Sequence, residues 1–237
     1  VTNVSSRGGE DKGGLVGFDD VFELTPNVLV ESVDVVEQLH NLTWHREFHH
    51  KGWGPCCLST DNMIKQWHSI ESVFRFMTTC APPRSTTMVA GGAHNYYERV
   101  GLFRLDAFYP EPISIMDNLL EKAVVPEFLW GDVNSKALMN DRMFYGSYSY
   151  ASVWATQRFK YARNYTRIYN ASDIHSETFL KRLMEHNKVP DYRKDICFYR
   201  IRTTGLLKTL DCRVKGIFYP DFLKNFSNVS FFEGLLC

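Results

Sequence analysis

SDIHSETFLKRLMEHN (172–187), followed after KVPDYR by KDICFYRIRTT (194–204), is the stretch whose reading decides the fold class. The first segment reads as an amphipathic helix, with Ser172 or Asp173 as its cap and Glu177 in the first turns. The second alternates Ile196, Phe198 and Arg200 with Cys197, Tyr199 and Ile201, which is the period of a strand. Upstream, SYASVWATQRFKYARNY (149–165) reads as another amphipathic helix, and AVVPEF (123–128) as a short strand running into a loop. RVGLFRLDAFY (99–109) reads as a buried strand with Val100, Leu102 and Phe103 in its core, closed by the Pro-bounded turn PEP. The clearest helix is DNMIKQWHSIESVFRFMTT (61–79). Its Met63, Ile64, Trp67, Ile70, Phe74 and Met77 recur every three or four residues, Thr60 or Asp61 caps the start, and Pro82 and Pro83 end it. Strands alternating with helices in this way predict an α/β architecture.

Residues 1–19 are rich in Gly, Ser and charge and read as a flexible lead-in. Residues 20–237 carry apolar side chains steadily, without a second linker or a repeat, so they are expected to form one domain. The 237 residues hold 27 Lys+Arg against 27 Asp+Glu, and that balance lacks the basic excess on which nucleic-acid affinity rests. No run approaches the ~18 apolar residues of a membrane span. Any membrane attachment is therefore expected through an anchor upstream of Val1.

The six cysteines form no CxxC pair, which disfavours zinc ribbons and thioredoxin-like chemistry; an even number is compatible with three disulfides. Asn-x-Ser/Thr sequons occur at Asn3, Asn41, Asn164, Asn170, Asn225 and Asn228, where random placement gives about 1.6. This excess predicts a chain of the eukaryotic secretory pathway, with Asn164, Asn170, Asn225 and Asn228 on exposed surface.

In WHREFHHKGW (44–53), His45 and His49 sit four apart, but Glu47 is one position too late for the zinc-protease helix pattern. The run is expected to be a solvated or sugar-facing His/Trp patch. No GxSxG, P-loop or GxGxxG occurs, which disfavours the familiar serine hydrolases and Rossmann-cofactor enzymes. Three segments carry more together than apart. They are the strand end Arg104–Asp106, the polar triplet Asn140–Asp141–Arg142 before an aromatic-Gly turn, and the helix from His175 leading to Arg200 and Arg202.

RLD (104–106), VPEF with Gly131, NDRMFYGSY (140–148), HSETFL (175–180) and FYRIR (198–202) come in an order that resembles one family. It is the glycosyltransferase-like proteins of algae, other protists and bacterial polysaccharide clusters, whose core is a variant GT-A fold. The likeness spans roughly residues 60–205. It implies a GT-A-like α/β domain, with a mixed sheet flanked by helices. It also implies sugar transfer from a nucleotide-sugar donor to a glycan or glycoprotein acceptor, in the secretory lumen and in particular the Golgi. The first donor-binding strand is not identifiable before Val28 and is expected upstream of Val1.

On that resemblance Asp106 stands where the family's metal-binding acid lies, with Mn²⁺ or Mg²⁺ as the cation and Arg104 beside the diphosphate. Asp141 is the candidate base. Tyr145 and Tyr148 are candidates to stack on sugar or nucleobase, and Arg142, Glu177, Arg200 and Arg202 to bind the substrates. The sequence has Arg where a D-x-D has its first acid, which leaves metal dependence open. The same residues have plainer readings: a strand-end ion pair for Arg104 and Asp106, a turn former for Asp141, a helix N-terminal charge for Glu177, and a solvated strand edge for Arg200 and Arg202. The rival functions are a catalytically inactive glycan-binding or scaffold protein on the same fold, and a secreted hydrolase with paired carboxylates.

Overall fold

The computed structural model describes residues 2–3, 15–16, 33–80, 97–104, 107–117, 119, 121–128, 137–201 and 207–208. Within the lead-in, β1 (Thr2–Asn3) pairs antiparallel with β2 (Leu15–Val16). The rest is a mixed α/β structure built on a four-stranded sheet of β3 (Arg99–Phe103), β6 (Met143–Ser147), β5 (Ala123–Pro126) and β7 (Asp191–Lys194), in that spatial order. β6 is antiparallel to both of its neighbours, and β7 runs parallel to β5. β3, β5 and β7 therefore point the same way, and their C-terminal ends meet the start of β6 at one edge of the sheet.

Strand alternation decides what each face carries. Val100, Ala123, Val125 and Phe144 face the main core, while Val124, Met143 and Tyr145 face a smaller cluster with Ile196 and the segment Tyr109–Leu119. The aromatic-Gly segment expected to turn after Arg142 is instead the central strand β6. Gly146 fits there because a Cβ would come within 3.1 Å of both the Lys122 carbonyl and the Phe144 ring.

Two further expectations change in the same way. The strand expected over 99–109 divides into β3 and β4 (Ala107–Phe108). The one expected over 194–204 is a strand only at β8 (Tyr199–Ile201) among the described residues, with β7 ending at Lys194, the first residue of that stretch. β4 and β8 join β9 (Leu207–Lys208) in a separate three-stranded sheet. The chain leaves the four-stranded sheet for the other at two places, after β3 and after β7, and hydrophobic alternation does not register such a crossing.

The helices cover the main-core face. α1 is Val33–Leu39 and α2 is Leu42–Glu47, with the Asn41 side chain capping the latter at Trp44 N, 3.0 Å. α3 (Leu58–Cys80) buries Met63, Ile64, Trp67 and Phe74, four of the six residues predicted to form its stripe; Ile70 and Met77 pack at its margin. It starts at Leu58, so Thr60 and Asp61 lie in its first turn. There Thr60 bonds the His49 ring at 2.7 Å and Asp61 takes two hydrogen bonds from Arg46.

The single helix predicted over 149–165 breaks at Gln157 into α4 (Tyr148–Thr156) and α5 (Arg158–Ile168). Arg158 Nε donates to the Trp154 carbonyl at 3.0 Å, using the acceptor that an unbroken helix reserves for the Arg158 amide. α6 (Ser176–His186) is capped by His175, not by Ser172 or Asp173, because Asp173 turns toward His50. No described helix is long and apolar enough to cross a membrane.

The histidines of the 44–53 run go to different places, so His45 and His49 share no site. His45 is buried edge-on against Trp67 and Phe159. Burial, with the nearby His40 and Arg163, pushes its pKa down to about 4. The folded protein thus keeps His45 neutral where the unfolded chain protonates near pH 6.5. As pH falls from about 6.5 the unfolded state binds the proton first, so stability drops until about pH 4 and then levels. His40, also shifted down by burial and by His68, acts in the same direction. Urea unfolding of the parent is expected to lose roughly 2–4 kcal/mol over that interval from His45. His45→Phe should flatten the slope, and an unchanged slope would refute this assignment.

Candidate functional site

In α/β sheets, side chains gather for chemistry where strands end and loops begin. Arg104 follows β3 at the shared C-terminal edge, and Asp141 and Arg142 precede β6 at the same edge. The start of α6 reaches them. Arg142 Nη1 bonds Glu177 Oε1 at 2.7 Å and pairs with Asp141 Oδ1, while Ser176 Oγ donates to Asp141 Oδ2 at 2.8 Å. Backbone bonds set the register. Met139 N donates to the Glu177 carbonyl at 3.0 Å, Arg193 Nη2 to the Leu138 carbonyl at 2.8 Å, and Arg142 N to Asn140 Oδ1 at 3.0 Å.

Asp141 is 6% exposed and Arg158 is 1% exposed. Burial alone would push the Asp141 carboxyl up. The charges of Arg142 and Arg104, the Ser176 hydroxyl and the more distant Arg158 outweigh it, and they hold Asp141 well below the usual carboxylate range. Burial lowers Arg158 to about 10, opposed by the Asp141 charge, so it is still a cation at neutral pH. Its Nη2 has no hydrogen-bond partner among the described residues. The edge therefore gathers three guanidinium groups around two carboxylates that are already paired with arginine.

Of the residues singled out from sequence, the structure brings together Arg104, Asp141, Arg142 and Glu177. Asp106 and Arg202 lie outside the described residues. Arg200 belongs to β8, in the other sheet, opposite Ala107 and Lys208. Tyr148 opens α4 and packs on Phe74. Among the described residues no three His, Cys, Asp or Glu side chains cluster so as to hold a metal. The donor set here also fits a divalent cation poorly, since both carboxylates are engaged by Arg142 and the surrounding groups are cations. A cavity of about 90 Å³ lined by Gln157, Lys160, Tyr161, Asn164, His186 and Asn187 shares no residue with this edge.

Tyr145 lies on the opposite face of β6, in the smaller cluster. There its hydroxyl donates to Asp117 Oδ2 at 2.5 Å, and Lys194 Nζ lies 3.1 Å from both groups. The Arg99 guanidinium pairs with Asp117 at 3.4 Å and lies over the Tyr145 ring. Burial and the bond to Asp117 raise the Tyr145 pKa. This network ties the 109–119 segment to the sheet.

Sequence reasoning missed Arg158, Ser176, Asp117 and Lys194. Arg158 alone left a usable signal, because it occupies the buried stripe of its helix together with Tyr161, Ala162 and Tyr165. Tyr145→Phe is expected to lower unfolding stability by about 1–2 kcal/mol through the lost bond to Asp117. Ligand binding at the arginine edge should not change; a large binding loss with intact stability would contradict the separation of the two faces. Comparison of the chain with family models, with curated proteins and with solved structures returned no match, so the site's own geometry carries the functional reading.

Proposed function

We propose that the chain is a glycosyltransferase of GT-A-like fold that moves a sugar from a nucleotide-sugar donor to a glycan or glycoprotein acceptor. One observation carries the reading. Segments separated by tens of residues and matched to the resemblance (NDRMFYGSY and HSETFL) converge on Arg142, which binds Asp141 and Glu177 together, and Arg104 of RLD adds its charge to Asp141. Departure of a nucleoside diphosphate builds negative charge on phosphate oxygens, and fixed guanidinium groups in a partly water-excluded site stabilise that charge. Arg104 and Arg142 take this part. The resemblance would place a divalent cation on Asp106 to meet the same need.

Asp141 is best read as the residue that orients Arg142. Its oxygens are engaged and its pKa is depressed, so it is a weak proton acceptor. The same engagement favours the second reading, a catalytically inactive glycan-binding or scaffold protein. A place in the secretory lumen, in the Golgi on the family resemblance, is supported by the sequons: Asn41, Asn164 and Asn170 are all exposed, while Asn225 and Asn228 lie outside the described residues.

Calorimetry and transfer assays of the full chain with UDP- and GDP-sugars, with Mn²⁺ or EDTA, separate the two. The transferase reading expects saturable donor binding and transfer, with Arg142→Gln lowering kcat/KM by roughly 10²–10³. Arg104→Gln should lower it by about tenfold or more. Absence of nucleotide-sugar binding leaves the inactive reading, and full activity in Arg142→Gln overturns the site.

A further inference from the structure

The His/Trp run that the arginine site does not use meets α6 at the other side of its first turn. His50 Nδ1 and Asp173 Oδ2 are 2.7 Å apart, bridging 123 residues of chain. The His50 ring stands edge-on to His175 at 4.7 Å and to Trp53 at 5.3 Å, and Trp53 lies 5.5 Å from His175. Ile174 N bonds the Phe48 carbonyl at 2.8 Å and holds the two segments side by side. Gly52 keeps this corner open, since a Cβ there would fall 2.7 Å from His50 Nε2. The His50 and Asp173 side chains are 28% and 35% exposed, and Trp53 is half-buried with its inner side on the main core.

An indole held by its neighbours, with imidazoles at its rim and a carboxylate bonded to one of them, suits one kind of ligand. The apolar C–H face of a pyranose packs on the indole, and its hydroxyls donate to the carboxylate and exchange hydrogen bonds with imidazole nitrogens. We propose that Trp53, His50, His175 and Asp173 form a docking subsite for a neutral oligosaccharide. The identification of that oligosaccharide as the acceptor rests on the transferase reading. The location fits, because His175 adjoins Ser176, which bonds Asp141 of the arginine edge.

Calorimetry on the full chain with mannobiose, lactose and chitobiose as probes, and inorganic pyrophosphate as the probe of the arginine edge, tests this. At least one disaccharide is expected to bind saturably. Trp53→Ala should weaken it by about tenfold or more, Asp173→Asn should weaken it several-fold, and Trp53→Phe should largely retain it. Pyrophosphate binding should be equal in all of these variants. Asp173→Asn, at a partly exposed carboxylate, gives the readout if Trp53→Ala fails to fold. Disaccharide binding without pyrophosphate binding upholds the subsite while removing the transferase reading. No disaccharide binding, or binding unchanged in both Trp53→Ala and Asp173→Asn, overturns the subsite.

Discussion

Burying the Asp141 carboxylate constrains this structure more than any other single group. A carboxylate removed from water loses several kcal/mol of hydration unless charge and hydrogen bonds replace it. Here the replacement comes from Arg142 on its own segment, Ser176 at the head of α6, and the charges of Arg104 after β3 and Arg158 at the head of α5. None of these elements can shift far without leaving a buried ion uncompensated. The packing agrees with that demand: Trp67 stacks on Phe179 at 4.7 Å, and Phe144 on Trp154 at 4.9 Å, so the elements that carry the charges are locked by their aromatic faces. Electrostatics and core packing fix the same geometry.

The central strand then sorts the chemistry by parity. Phe144 and Gly146 face the helices, while Met143 and Tyr145 face the opposite side, where Asp117, Lys194 and Arg99 form their own network. Only the residues at the strand's start reach the edge where β3, β5 and β7 end. The Arg142 guanidinium at that edge is already oriented by carboxylates. That preorganisation is what electrostatic stabilisation of a departing anion requires.

Much of this was legible in the sequence, for definite reasons. α3 was readable because Met63, Ile64, Trp67 and Phe74 repeat at helical spacing over a long segment, and Arg104, Asp141, Arg142 and Glu177 stood out as charges inside ordered motifs. The crossings between sheets after Phe103 and after Lys194 were not readable, since the apolar pattern continues through both. Nor was the strand character of Met143–Ser147, where a glycine beside aromatic residues resembles a turn until the close approach of Lys122 is known. The cap of α6 moved to His175 because Asp173 is spent on His50, a partner far away in the chain. Arg158 and Ser176 act on Asp141 only through tertiary contact; the buried stripe marks Arg158 as an inward charge but does not name its partner, and nothing local marks Ser176.

A double-mutant cycle of Asp141→Asn and Arg142→Gln, followed by urea unfolding at neutral pH, tests most directly whether the buried carboxylate and its arginines organise this edge. The account predicts that Arg142→Gln costs about 3 kcal/mol or more, since it takes the paired guanidinium from a buried carboxylate, and that Asp141→Asn costs less, since Arg142 keeps Glu177. It also predicts that the double variant loses less than the two together, by about 1–3 kcal/mol. Costs that add within about 0.5 kcal/mol would contradict it, because Asp141 and Arg142 would then be independent of one another.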